Sequence, residues 1–271
     1  MDLSIIILNY QSRAKLLNCL ASIKASQLAG LRYEIIVVDN NSGDDLHDIP
    51  AQYPLVRLIM HHQNPGMGAG NNLGIRSSQA EFILILNPDT VMQPSTISVM
   101  LMYLREHPEA GLVGPKTLYP DGSLQLSCSR FPSFFLPFLR RTFLGNLFKA
   151  ERDDLMMSNF DHQSISAVDW LMGSCLMFRR ELVVKGETWR PQFDERYFMY
   201  FEDTDLARQF RARNLLAIYN PQAVITHNHE RGSAKYPWYL AIFVSSLARH
   251  HIGSWLKYFV KWGFGRPRDI K

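Results

Sequence analysis

Cysteine is scarce in this chain. Three of its 271 residues are thiols, Cys19, Cys128 and Cys175. They lie far apart, no pair has the spacing of a zinc knuckle, and an odd number argues against a disulfide framework. Such usage fits a reducing compartment, so a cytoplasmic protein is expected. Charge of one sign is also in short supply. Lys and Arg total 29 against 25 Asp and Glu, a formal net charge of +4. That excess is too small for a nucleic-acid surface, and no nucleic-acid partner is expected. No uninterrupted apolar run is long enough to span a bilayer. No secretory leader is expected either, because the chain opens directly into the strand-like run Leu3–Leu8 with no basic stretch before it.

What is present describes a folded domain. Hydrophobic residues make up 46% and charged residues 20%, an ordinary globular balance that excludes wholesale disorder. The length fits one large α/β domain with room for a short appendage. Leu3–Leu8 is a continuous apolar run, as a strand buried on both faces should be. Leu16, Leu17, Leu20 and Ile23 then recur at helical spacing. Glu34–Val38, Leu55–Met60 and Phe82–Leu86 read as further strands, with helices starting near Gly70 and running from Pro94 to Glu106. This alternation predicts a mostly parallel sheet with crossover helices. Later, Pro120-Asp121-Gly122 predicts a hairpin within Thr117–Ser127. Val168–Arg179 predicts a strand, Asp203–Arg213 a helix, and Val224–His227 a short strand.

In an open parallel sheet, ligands bind beyond the carboxyl ends of the strands. Here those ends carry Asn9 and Tyr10, then Asp39, Asn40, Asn41 and Ser42. After them come Asn64, Gly66, Gly68, Gly70, Asn71 and Asn72, and finally Asn87, Asp89 and Thr90. Any one cluster could be turn chemistry alone. Four in succession point to hydrogen-bonding groups for a base, a ribose and a diphosphate. The glycines are not a dinucleotide fingerprint, which belongs in the turn after the first strand; that turn has no glycine. They are expected to let the backbone approach a sugar nucleotide. Asp89 could hold a divalent cation bridging two phosphates. Glu202-Asp203-Thr204-Asp205 follows the aromatic run Tyr197–Phe201. Carboxylates beside such walls have raised pKa values, as a general base needs; helix capping is the other reading of Asp203 and Asp205. His227 and His229 share a face of one extended segment, so one could join the cation or serve structure alone.

Taken together, these segments resemble the family 2 glycosyltransferases, and within them the bacterial rhamnosyltransferase-like subgroup. The matching stretches are Ile5–Tyr10, Val37–Ser42, Asn64–Gly74, Leu86–Asp89, Gly173–Arg180, Phe193–Leu206 and His227. The resemblance implies a GT-A fold: a single α/β domain with a Rossmann-like, mostly parallel sheet flanked by helices. A nucleotide-sugar half would span about 1–115, an acceptor half about 116–235, and a C-terminal helical segment 236–271. It implies an inverting transfer, with Asp203 as the base and Glu202 helping to place it. Asn9, Tyr10, Asp39, Asn41, Gly70, Asn71, Asn87 and Asp89 would line the nucleotide sugar. Asp89 and His227 would bind Mg²⁺ or Mn²⁺. Trp170, Gly173 and Ser174 would lie on the acceptor side. The donor would be dTDP- or UDP-linked, with dTDP-L-rhamnose leading, and the acceptor a polyprenyl-diphosphate-linked saccharide of a surface polysaccharide. A UDP-hexose-dependent transferase and a catalytically silent nucleotide-sugar-binding scaffold are the alternatives. Asn87 departs from the family's commoner Asp-x-Asp motif and leaves one fewer formal charge for a metal.

The C-terminal segment interleaves Trp238, Tyr239, Phe243, Leu247, Trp255, Tyr258, Phe259 and Trp262 with basic residues. It predicts an amphipathic helix, or two, over Trp238–Trp262. Such a helix either lies in the interface of the inner membrane face or packs on the catalytic domain as part of its core.

Overall fold

The computed structural model describes residues 1–135, 147–184, 192–228 and 244–264. The chain begins with alternating strands and helices: β1 (Leu3–Asn9), α1 (Arg13–Lys24), β2 (Tyr33–Asp39), α2 (Ile49–Gln52), β3 (Val56–Met60), α3 (Met67–Ser77) and β4 (Phe82–Leu86). β2 and β4 flank β1, β3 lies outside β2, and all four strands are parallel. β1 is buried at every position, which is why its sequence shows no polar alternation.

The second half follows as β5 (Thr90–Met92), α4 (Thr96–Glu106), β6 (Ala110–Leu118), β7 (Leu124–Gln125), β8 (Cys128–Ser129), α5 (Lys149–Leu155), β9 (Ser166–Val168), β10 (Trp170–Leu171), β11 (Cys175–Arg179), α6 (Glu181–Val184), α7 (Glu202–Arg211), β12 (Leu216–His227) and α8 (Ser246–Trp262). The main sheet runs β3-β2-β1-β4-β11-β6-β12-β5. β11 is antiparallel to both β4 and β6, so β6 and β12 run the same way as β1–β4. The expected parallel sheet is therefore interrupted by one reversed strand in its middle.

Two apolar layers hold the sheet. Leu3, Ile5 and Ile7 face α1 and α4, meeting Leu16, Leu20, Ile97 and Met100. Ile6 and Leu8 face the other way, onto the layer that holds Ile75 of α3 and Leu206 and Phe210 of α7. Each such buried side chain contributes about 1.5–3 kcal/mol of transfer free energy. α3 lies close to the sheet because Gly70 and Gly74 have no side chains. A Cβ on Gly70 would strike Leu8 and come within 2.7 Å of Asn40 Oδ1, and one on Gly74 would strike Ile6.

Several local expectations change. The hairpin is present, with Thr117 opposite Gln125. Its first strand reaches back to Ala110 and lies inside the sheet, where Gly111 clears Phe210 and Gly114 clears Leu171. Val168–Arg179 is three strands rather than one, because Trp170 and Leu171 leave the sheet to pair with β8. The short strand expected at Val224–His227 begins at Leu216. Of the predicted C-terminal helix, Ser246–Trp262 is observed and 238–243 falls outside the described residues.

Candidate active site

The ends of β1 and β2 meet through side chains. Asn9 Nδ2 donates to Asp39 Oδ1 (2.8 Å) and to Asp44 Oδ2 (2.9 Å), while Ser42 donates to Asp39 from both its hydroxyl and its backbone N–H. Asn9 and Asp39 are fully buried. They form a floor, over which Tyr10 and Asn41 are exposed. Asn41 has φ +56°, a left-handed conformation that Asn tolerates better than most residues. Asn71 is buried on α3, and its Oδ1 has no hydrogen-bond partner. Gly70 is buried against Leu8 and Asn40. At 70 and 74 the missing side chain serves helix–sheet packing. At Gly66, φ is +99° and a Cβ would collide with the Phe198 backbone.

The end of β4 carries the acid. β5 pairs with the end of β12, setting Thr90 opposite His227. This brings Asp89 Oδ1 to 3.2 Å from His227 Nε2. The other ring nitrogen, Nδ1, lies 2.8 Å from Gln125 Oε1 in the hairpin. Burial pushes the Asp89 carboxyl up, but the facing His227, Lys15 and a backbone hydrogen bond together outweigh it, so the group lies below the usual carboxylate value. Asp89 is thus an anion at neutral pH. An anionic oxygen and an oriented imidazole at this spacing suit a small divalent cation that also takes phosphate oxygens. Among the described residues no cluster of three or more His, Cys, Asp or Glu is gathered for a metal, so such an ion would need the diphosphate to complete its shell. His229 lies outside the described residues.

The reversed strand brings in the residues expected on the acceptor side. Because β11 starts where β4 ends, the Asn87 N–H donates to Ser174 O (2.9 Å). Next to it, the Gly173 N–H donates to Asp203 Oδ2 (2.8 Å), and a Cβ at Gly173 would lie only 3.1 Å from Asp203 Cβ. The Trp170 indole stands beside the same carboxyl. Asp203 Oδ1 accepts from the Thr204 N–H (2.6 Å). Burial raises the Asp203 carboxyl above its ordinary value. Glu202 is buried, and burial together with the Asp203 charge pushes it up to about 8. Its Oε2 makes no hydrogen bond. Two adjacent carboxyls in one apolar setting divide into a proton holder and a proton acceptor.

α7 begins abruptly. Tyr200 and Phe201 both have left-handed φ, +69° and +68°, a conformation that is a genuine outlier for bulky residues and one that concentrates at functional sites. Capping is not the role of the acids, since the cap residue is Phe201 and no side chain bonds there. Asp205 instead is buried and accepts from Gln209, Lys261 and Trp262. A polar cavity of about 500 Å³ lined by Asp194, Arg196 and Lys261, among others, includes none of the strand-end residues.

Asp203, Gly173, Ser174, Asn87, Asp89 and His227 therefore form one linked row along the carboxyl edge of the sheet. The family model described as Glycosyl transferase family 2 matches residues 4–184. The chain belongs to glycosyltransferase family 2. The "N-acetylglucosaminyl-diphospho-decaprenol L-rhamnosyltransferase" of Mycobacterium tuberculosis is 31% identical, over 82% of this chain and 73% of its own. The "Rhamnosyltransferase WbbL" of Escherichia coli is 27% identical, over 81% and 84%. The crystal structure of S. aureus TarS superposes with a TM-score of 0.59 at 16% identity, over 86% of this chain and 37% of TarS. At that identity the likeness concerns the GT-A-like fold.

In this glycosyltransferase the sequence did not single out Gln125, which orients His227, or Asp44, which shares Asn9 with Asp39. Asp44 sits in an acidic turn that reads as a solvated loop, and Gln125 is a lone amide in a hairpin. The basic residue Lys15, one turn before Cys19 on α1, also acts on Asp89.

Proposed function

We propose that the chain is an inverting hexosyltransferase that moves L-rhamnose from dTDP-L-rhamnose to a hydroxyl of a polyprenyl-diphosphate-linked saccharide at the inner membrane face, in the assembly of a surface polysaccharide. The observation that carries this reading is the linked row from Asp203 to His227. It sets a carboxyl with raised proton affinity on the acceptor side, beside the edge where a nucleotide diphosphate would lie. The mycobacterial relative, named for a lipid-linked acceptor and for L-rhamnose, supports the choice of substrates.

The reaction is one displacement. The acceptor oxygen forms a bond to the anomeric carbon as the bond from that carbon to the diphosphate oxygen breaks, and configuration inverts. Asp203 takes the hydroxyl proton. Glu202, which holds its proton at neutral pH, adds no second negative charge next to the base. Tyr10 and Asn41 stand exposed over the Asn9–Asp39 floor to meet the base and ribose, with Asn71 and Asn87 further along the edge. Asp89 and His227 would hold Mg²⁺ or Mn²⁺, which would neutralise charge on the departing diphosphate. With Asn at 87, donor binding should depend on metal less steeply than with two acids.

A panel of dTDP- and UDP-sugars, offered with a polyprenyl-diphosphate disaccharide and analysed by mass spectrometry, tests the assignment. A product one deoxyhexose heavier, made from dTDP-L-rhamnose alone, is expected. Transfer from a UDP-hexose in preference would replace the donor. Donor binding with no transfer to any acceptor would make the protein a scaffold.

A further inference from the structure

α8 has two faces with different surroundings. The inner face grips the segment that leads into α7. Ser254 Oγ donates to Met199 O (2.8 Å) and Lys257 Nζ to Arg196 O (2.6 Å). Lys261 Nζ reaches Asp194 Oδ2 (2.9 Å) and Asp205 Oδ2 (2.8 Å), and the Trp262 indole N–H donates to Asp205 Oδ1 (2.6 Å). His250 stacks on Phe198 and His251 on Tyr200. Every one of these contacts falls between Asp194 and Asp205, the stretch that holds the two left-handed residues and Asp203.

The outer face carries Ile252, Leu256 and Val260, spaced i, i+4, i+8, so they form one stripe. All three are exposed, Val260 at 87%. Phe264 and Phe135 extend the stripe and are exposed at 72% and 66%. Both rings pack against Phe134, which in turn stacks on Trp255. The same helix exposes Arg249, and also Lys257 at the border of the two faces, where its Nζ donates to Arg196 O. Beyond Phe264 the sequence adds Arg266, Arg268 and Lys271 against a single acid, Asp269.

We propose that this outer face seats on an anionic lipid surface, and that α8 thereby couples membrane contact to the geometry of the catalytic segment. The inference rests on the transferase reading and extends it from a location to a control. An aliphatic stripe edged by cations matches the apolar interior and negative headgroups of such a surface. A second copy fits worse, because a two-fold contact would join two helix faces that both carry cations, and α8 has no acid to meet them. The stripe exists as a stripe only while α8 is helical. A surface that binds it therefore favours the ordered helix and, through Lys261 and Trp262, the arrangement around Asp205. Lys261 is a positioning residue in this scheme, two helix positions removed from the base through Asp205.

The test uses the full chain with vesicles of phosphatidylethanolamine and phosphatidylglycerol, and with phosphatidylcholine vesicles as the neutral arm. Three quantities are read: flotation, amide hydrogen exchange over 194–205, and the rate of transfer to a water-soluble acceptor. Anionic vesicles should capture the wild type, slow exchange in that segment and raise kcat rather than lower KM. Leu256→Glu with Val260→Glu should cut capture about tenfold or more and abolish both responses, with basal transfer unchanged. Lys261→Met should still float but lose the slowed exchange and the rate gain, and Lys261→Arg should restore them. Equal capture by neutral vesicles, or none by anionic ones, overturns the lipid assignment. Capture with unaltered exchange overturns the coupling. A concentration-dependent dimer that the double Glu variant dissolves assigns the face to a second copy and also overturns it. Flotation and exchange need no donor, so absence of transfer would bear on the transferase reading alone.

Discussion

Asp203 Oδ2 lies 2.8 Å from the backbone nitrogen of Gly173. A main-chain donor fixes the carboxyl more tightly than a side chain would, and it leaves the proton-accepting role to the environment rather than to a mobile partner. Asp203→Asn keeps the shape and one of the two backbone hydrogen bonds, from Gly173 or Thr204, but cannot take a proton. Transfer should fall by roughly 10²–10⁴, the usual worth of a positioned base. Donor-induced thermal stabilisation should persist, which a thermal-shift titration checks.

Glu202 gives a pH signature. Its carboxyl is pushed up to about 8 from an ordinary 4.5 by burial and by Asp203. The folded state therefore binds more protons than the unfolded state between those values, and stability falls as pH rises across that window. The contribution is fully present below about 4.5 and is gone above about 8. Glu202→Gln should flatten this part of the stability–pH curve measured by urea unfolding. An unchanged slope would place the proton elsewhere.

Gln125 offers a test of the metal pair that leaves both ligands in place. Its Oε1 lies 2.8 Å from His227 Nδ1, so it sets the tautomer that presents the other nitrogen beside Asp89. Gln125→Ala should weaken Mn²⁺-dependent donor binding by about 10–100-fold, the typical effect of losing such an orienting partner. Calorimetry in EDTA should show no difference between variant and wild type.

Gly70 separates packing from ligand approach. A methyl group there meets Leu8 and Asn40, and overpacking of this kind destabilises by about 1–3 kcal/mol. Gly70→Ala should lower the unfolding free energy from urea denaturation by that amount. Donor affinity, measured well below the unfolding transition, should change little. A large loss of affinity at unchanged stability would restore the ligand-approach reading.

The polar strand ends are readable in the sequence for a physical reason. A strand buried on both faces is mainly apolar until its end, so Asn9, Asp39 and Asn87 mark where β1, β2 and β4 stop. The glycines are ambiguous because close helix packing and close ligand approach call for the same residue. The direction of β11 is hidden, since Cys175–Arg179 is an apolar run that would look the same parallel or antiparallel. Gln125 is hidden because its partner is 102 residues away and nothing local distinguishes it. The C-terminal helix reads as either core or membrane-facing. It buries Tyr258 and Phe259 and exposes Leu256 and Val260, and hydrophobicity alone does not say what covers the exposed side.

β11 runs against its neighbours, and this has a consequence for how the protein can be altered. The excursion between Leu118 and Cys175 leaves from one strand of the sheet and returns beside β4, and none of its described residues pairs with β1, β2 or β3. Its length and chemistry can be changed while the three strands that present Asn9, Asp39 and Met60 keep their register. A chimera that exchanges this excursion for a relative's should therefore inherit a new acceptor preference on an unaltered nucleotide platform.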